Sequence, residues 1–150
     1  MLKHLLFAAL LLAPLAARAD DATVTVEQAW TRARAGNATS GGVYLTVTAH
    51  GAADQMIGII TPVAEMAMIH ESFTEAGVSK MRMLDSVRLE PNQKVVFQPG
   101  GLHIMLEGLT TPIKRGTSFK LTVSFAHAAP QTVTVTVLSA GANGPDDAAK

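Results

Sequence analysis

The chain has 150 residues, 48% hydrophobic and 16% charged, with 12 Lys and Arg against 12 Asp and Glu, five His, seven Met and no Cys. The balanced charge argues against nucleic acid, which needs a basic face. The missing cysteine excludes disulfides, cysteine nucleophiles, thiolate zinc sites, cysteine-ligated blue copper and a lipid-anchored lipoprotein.

The first 19 residues read as a cleaved signal peptide. Lys3 supplies the positive start, residues 5–17 are almost entirely apolar, and Ala17-Arg18-Ala19 is a small-residue cleavage site. The apolar run is too short for a membrane anchor, and Pro14 interrupts it as a buried helix. The expectation is a soluble, monomeric, exported protein beginning at Asp20, periplasmic in a bacterium. Without the leader there are 10 basic and 12 acidic residues, a formal charge of −2. The remaining 131 residues suit one domain over residues 20–139 and a tail over 140–150. The tail is rich in Gly, Ala and Asp and is expected to be disordered.

The exported part reads as β throughout. Strands are expected over 22–30 and 42–49, the second carrying Val-Tyr-Leu-Thr-Val-Thr, with a loop over 31–39 around Gly36-Asn37. A turn over 51–54 leads to a short strand over 56–61, ended by Pro62. Residues 66–71 and 80–84 are expected to form a hairpin around Glu75-Ala76-Gly77. Runs over 87–90 and 94–98 flank Pro91-Asn92, and Pro99-Gly100-Gly101 turns the chain into a strand over 102–108. The last two strands alternate cleanly, Phe119, Leu121, Val123 and Phe125 on one, Val133, Val135 and Val137 on the other. Short strands separated by Gly and Pro turns predict a Greek-key β-barrel or sandwich.

Three of these strands carry thioethers and imidazoles two residues apart, so each set shares one strand face. They are Met66, Met68 and His70; Met81 and Met83; and His103 and Met105. In the last strand Leu102, Ile104 and Leu106 form the apolar face, which leaves Met105 beside His103 and Glu107, away from where a core residue belongs. Thioether sulfur is a soft, neutral ligand that favours Cu(I), and imidazole binds copper in either oxidation state. A set without thiolate or carboxylate lacks the charge that holds Zn(II) or Ca(II) tightly. Methionine also fills cores, which is the reading for Met56 between apolar neighbours. For Met66, Met68 and Met83 packing and ligation both stand open. His50 and His127 fall at turns and read as solvated, and Trp30 and Tyr44 as core or edge packing.

The spacing from His70 through ten residues to Met81, twenty-one to His103 and one to Met105 resembles the H-x10-M-x21-H-x-M motif of the periplasmic copper chaperone family PCu(A)C. Similarity extends to Ala29-Trp30-x-Arg32-Ala33, Val43-Tyr44-Leu45-Thr46, Thr61-Pro-Val-Ala-Glu65 and Pro99-Gly-Gly-Leu-His103, and covers roughly residues 22–138. The resemblance implies a cupredoxin-like barrel holding one Cu(I) at an exposed end through His70, Met81, His103 and Met105. It also implies delivery to the CuA centre of cytochrome c oxidase, alone or with a Sco-type thiol protein, and no enzymatic activity. Met66, Met68 and Met83 leave room for an extra or alternative ligand. Residues 139–150 contain no His and no Met, which argues against Cu(II) binding by the tail. Storage or resistance without an oxidase partner would use the same ligands.

Overall fold

A computed structural model describes residues 22–149. The expected signal peptide, residues 1–19, lies outside the described residues. The strands are β1 (Thr23–Arg32), β2 (Ser40–His50), β3 (Asp54–Ile60), β4 (Ala64–Glu75), β5 (Val78–Leu84), β6 (Val87–Leu89), β7 (Lys94–Phe97), β8 (Leu102–Leu109), β9 (Ser118–Phe125) and β10 (Gln131–Leu138). The described helical element is a 3-10 turn over Pro145–Ala149, so no described helix is long and apolar enough to cross a membrane.

The all-β expectation holds, but the expected Greek-key barrel or sandwich does not. All ten strands belong to one mixed sheet in the order β5-β4-β8-β2-β1-β10-β9-β3-β6, with β7 paired to β2 off this path. The pairing path is open, with β5 and β6 as its two ends. The β1–β10 pair is parallel and the other strand pairs are antiparallel. Runs of short alternating strands are compatible with closed and open sheets alike, because alternation fixes a strand's faces and not its partners. The runs around Pro91-Asn92 illustrate this: β6 pairs with β3 and β7 with β2, so they do not form a hairpin.

The core follows from the alternation. Val43, Leu45 and Val47 of β2, Ile104 and Leu106 of β8, Leu121 and Val123 of β9 and Val135 and Val137 of β10 are essentially inaccessible to solvent and belong to one cluster. Met56 is buried in it, as expected. Each such side chain contributes about 1.5–3 kcal/mol through burial. β5 adds no fully buried residue; only Leu84, at its end, packs against the cluster. The β4–β5 hairpin therefore extends beyond the core. Its two-residue turn, Ala76-Gly77, has positive φ at both positions (49° and 77°), the pattern whose twist matches paired strands. Across its back run the ion pairs Arg82–Glu71 and Lys80–Glu75, and the Arg82 guanidinium lies 5.2 Å from the centroid of the Phe73 ring.

One irregularity in β1 decides what faces the hairpin's other side. Val24 and Val26 point to the core, so simple alternation would send Trp30 and Arg32 there too. Instead the β1–β2 register slips between Glu27 and Trp30, where Gln28 has φ 53°. The extra residue of this bulge inverts the parity. Trp30 now pairs with Tyr44 across the strands, and the core side goes to Ala29, Thr31 and Ala33. Trp30, Tyr44, Leu138 and Ala142 form a second small cluster on the opposite side of the sheet. The tail, expected to be disordered, supplies Ala142 to this cluster, and its carbonyl accepts a 2.7 Å hydrogen bond from Arg32 Nε.

Candidate metal centre

The residues singled out from the sequence converge on one face at the β5-β4-β8-β2 end of the sheet. Register sets the arrangement. His70 on β4 lies opposite both Met83 on β5 and His103 on β8. Two residues towards the hairpin tip, on the same face, Ser72 lies opposite Met81. Two residues the other way, Met68 lies opposite Met105, which in turn faces Gly42 of β2. Directly opposed residues share a face with Cβ atoms about 4.5–5.5 Å apart. His70, Met81, His103 and Met105 therefore occupy three neighbouring cross-strand rows.

Side-chain geometry draws them closer. His70 Nδ1 is 3.1 Å from the Met81 sulfur. The rings of His70 and His103 have centroids 5.8 Å apart at 74°, edge to face. Met81, His103 and Met105 line one cleft. First-row metal bonds of about 2.0 Å to nitrogen and 2.3 Å to sulfur put two ligands of one ion roughly 3–4 Å apart, so the His70–Met81 separation suits a shared ion.

The four differ in how they are held. His103 is 7% exposed, and its Nδ1 lies 3.0 Å from the Gly101 carbonyl. A carbonyl only accepts, so Nδ1 carries the proton and Nε2 keeps its lone pair for a metal. Alternation alone places His103 on the outer face; that the ring is nonetheless buried there is something no strand pattern reports. His70 and Met105 are half-buried. Met81 is 53% exposed on the edge strand. The set thus runs from an enclosed imidazole inside to an exposed thioether at the rim.

The additional methionines separate. Met68 stands beside the set, across from Met105, and together with Met83 lines a neighbouring groove against Ile57. Met66 lies opposite Glu107, a row further out, and is exposed. His50 and His127 are exposed and lie elsewhere, the His50 ring hydrogen-bonded to the Thr25 hydroxyl and the His127 backbone N–H donating to Asp54. Among the described residues no three His, Asp or Glu side chains converge; the neighbours of the two imidazoles here are thioethers. Arg32, Arg34 and Tyr44, which line the same cleft, were not expected there. Arg32 and Tyr44 reach it because of the β1 bulge and the β2 register, neither of which composition or alternation reveals.

Residues 24–137 match the model of the family described as "Putative lipoprotein LpqE-like". The chain is also 30% identical over 122 residues to "Putative lipoprotein Lxx21020" of Leifsonia xyli subsp. xyli (strain CTCB07), covering 80% of this chain and 73% of that protein. The chain belongs to the LpqE-like family. The 150 residues contain no cysteine. Its fold is that of PCuAC domains. The copper-bound PCuAC domain of PmoF2 superposes with a TM-score of 0.66 at 23% identity, covering 78% of this chain and 93% of that one. Apo-DR1885 of Deinococcus radiodurans does so with a TM-score of 0.59 at 26% identity, covering 95% and 97%. The Cu(I) form of DR1885 gives 0.58 at 23%, covering 85% and 84%.

Proposed function

We propose that this LpqE-like chain is an exported carrier of Cu(I), binding one ion through His70, Met81, His103 and Met105. The observation that carries the reading is the 3.1 Å approach of His70 Nδ1 to the Met81 sulfur, beside a His103 whose Nε2 is left free by the Gly101 carbonyl. The donors are neutral and half of them are soft, which suits a monovalent soft ion over Zn(II) or Cu(II). The PCuAC fold supports the choice of metal, and the copper-bound form of PmoF2 and the Cu(I) form of DR1885 show that proteins of this fold carry it. Export is supported by the leader-like residues 1–19 and by the lipoprotein description of the family.

The destination we propose is the CuA centre of cytochrome c oxidase, reached directly or through a Sco-type thiol protein. The motif spacing in the sequence supports it. A carrier needs ligands that can be exchanged, and the exposed Met81 is positioned to be replaced first by an acceptor's ligand.

Anaerobic titration of the metal-free protein with Cu(I), followed by X-ray absorption at the end point, tests the site. The expected result is one equivalent bound with both nitrogen and sulfur scatterers; a shell of nitrogen and oxygen only would refute it. Deletion of the gene tests the destination. Loss of the CuA signal with intact copper tolerance supports delivery, and the opposite pattern identifies a storage or resistance protein.

A further inference from the structure

The cleft that takes in Met81, His103 and Met105 has a second wall with different chemistry. It is an open cleft of about 270 Å³ whose far side is formed by Arg32, Arg34, Ser40 and Tyr44. No Asp or Glu lines it. Gly42 forms part of its floor, and a Cβ there would meet the Tyr44 hydroxyl at 3.1 Å, so the phenol lies over bare backbone and its oxygen stays available at the cleft.

The two arginines are held differently. Arg32 donates from Nε to the Ala142 carbonyl at 2.7 Å and from Nη2 to Asn143 Oδ1 at 3.1 Å. Asn143 is itself fixed by its backbone N–H donating to Asp147 at 2.8 Å. The tail therefore orients one guanidinium and leaves its other N–H groups unspent. Arg34 is exposed, and among the described residues its side chain has no hydrogen-bond or ion-pair partner. The other surface cations described with carboxylate partners, Lys80, Arg82 and Arg88, pair with glutamates of this chain. A cleft with two guanidinium groups, three hydroxyls and no acid suits a planar anion, which a guanidinium fork matches with two parallel hydrogen bonds.

We infer that this cleft binds a carboxylate group, held by Arg32 and Arg34 with the Tyr44 and Ser40 hydroxyls as further donors, directly beside His103 and Met105. The inference rests on the arginine wall and not on the candidate metal ligands, so it stands or falls independently of copper. The carboxylate has two sources, a free small acid or an acidic segment of another protein.

The test titrates the metal-free protein with succinate and, separately, with an N-acetylated, C-amidated tri-glutamate peptide. It is read by amide chemical shifts and by fluorescence of Trp30, the one tryptophan, whose ring centroid is 4.6 Å from that of Tyr44. The expected result is a saturable shift at Gly42, Tyr44 and Gly100 that weakens with salt. Arg34→Gln should reduce the affinity about tenfold or more, the loss of a charge-assisted contact, while Arg88→Gln on the remote β6 leaves it unchanged. Binding of succinate identifies a small-acid site, and binding of the peptide alone identifies a docking point for an acidic partner; either supports the inference. No saturable binding of either probe, or equal weakening by Arg34→Gln and Arg88→Gln, would overturn it. Cu(I) titration of Arg34→Gln is the separate control: unchanged copper stoichiometry keeps the two readings apart.

Discussion

His70 and His103 are direct cross-strand partners on β4 and β8, their rings edge to face at 5.8 Å, yet only one of them is enclosed. His103 is locked to the Gly101 carbonyl, while His70 contacts the rim methionine. In the metal-free protein His103→Ala should cost about 1–3 kcal/mol, since it removes a nearly buried ring and one of the two donors to the Gly101 carbonyl, the Ser72 N–H being the other. His70→Ala should cost less than about 1 kcal/mol. Urea unfolding of both variants without metal checks this; equal losses would mean that the enclosure of His103 has no energetic weight.

Adjacent residues of β8 allow a sharper contrast. Ile104 is wholly buried and Met105 half-buried on the opposite face. Ile104→Ala should destabilise by about 2–5 kcal/mol through the cavity it leaves, and Met105→Ala by under about 1 kcal/mol. Copper binding should reverse the order, with Met105→Ala the more damaging. Thermal melts with and without Cu(I) measure both.

Acidification should weaken the metal site through its imidazoles alone. A protonated ring nitrogen has no lone pair to offer, and thioether sulfur does not titrate. Cu(I) affinity should be level at alkaline pH and fall in acid with a limiting slope of about two decades per pH unit, one for each histidine. His103→Met should bring the slope to about one. Competition against a chelator, corrected for its own protonation, gives the profile. A flat profile for the parent protein would remove the histidines from the ligand set.

A different pH effect belongs to Asp54, at the start of β3. Burial works against its charge, but backbone N–H groups of Ala128, Gln55 and His127 donate to the carboxylate, and the His127 charge adds to them, so its pKa is held below the usual carboxylate range. With a folded-state pKa below the unfolded value, the stabilisation is complete above about pH 4 and disappears as pH falls through the folded value. Asp54→Asn should therefore cost about 1–3 kcal/mol at neutral pH, and its melting temperature should approach the parent's as the medium becomes strongly acidic. A constant gap across the range would contradict the ionic account.

The strands were legible because β-branched residues alternate, and the inward faces of β8, β9 and β10 follow from Ile104, Leu106, Leu121, Val123, Val135 and Val137. The four candidate ligands were legible because their spacing is specific and their residue types share a chemistry. The open sheet was not, since nothing local in β6 or β7 states that their partners are β3 and β2. The arginine wall was hidden for a subtler reason. One extra residue at Gln28 reverses the side to which Trp30 and Arg32 point, and a bulge leaves almost no trace in residue type when the residue is not glycine.

The edge position of β5 sets an order of events. Its backbone pairs with β4 on one side only, and it contributes nothing fully buried, whereas β8 is flanked by β4 and β2 and is anchored by Ile104 and Leu106. Transient fraying of the hairpin is therefore much cheaper than any opening of β8, and slow amide exchange should be concentrated in β8. A metal held between the two strands would lose Met81 in such an excursion while His103 and Met105 stayed in place. Release would then proceed as an unzipping from the rim inward, paced by the fluctuations of a hairpin instead of by unfolding of the domain.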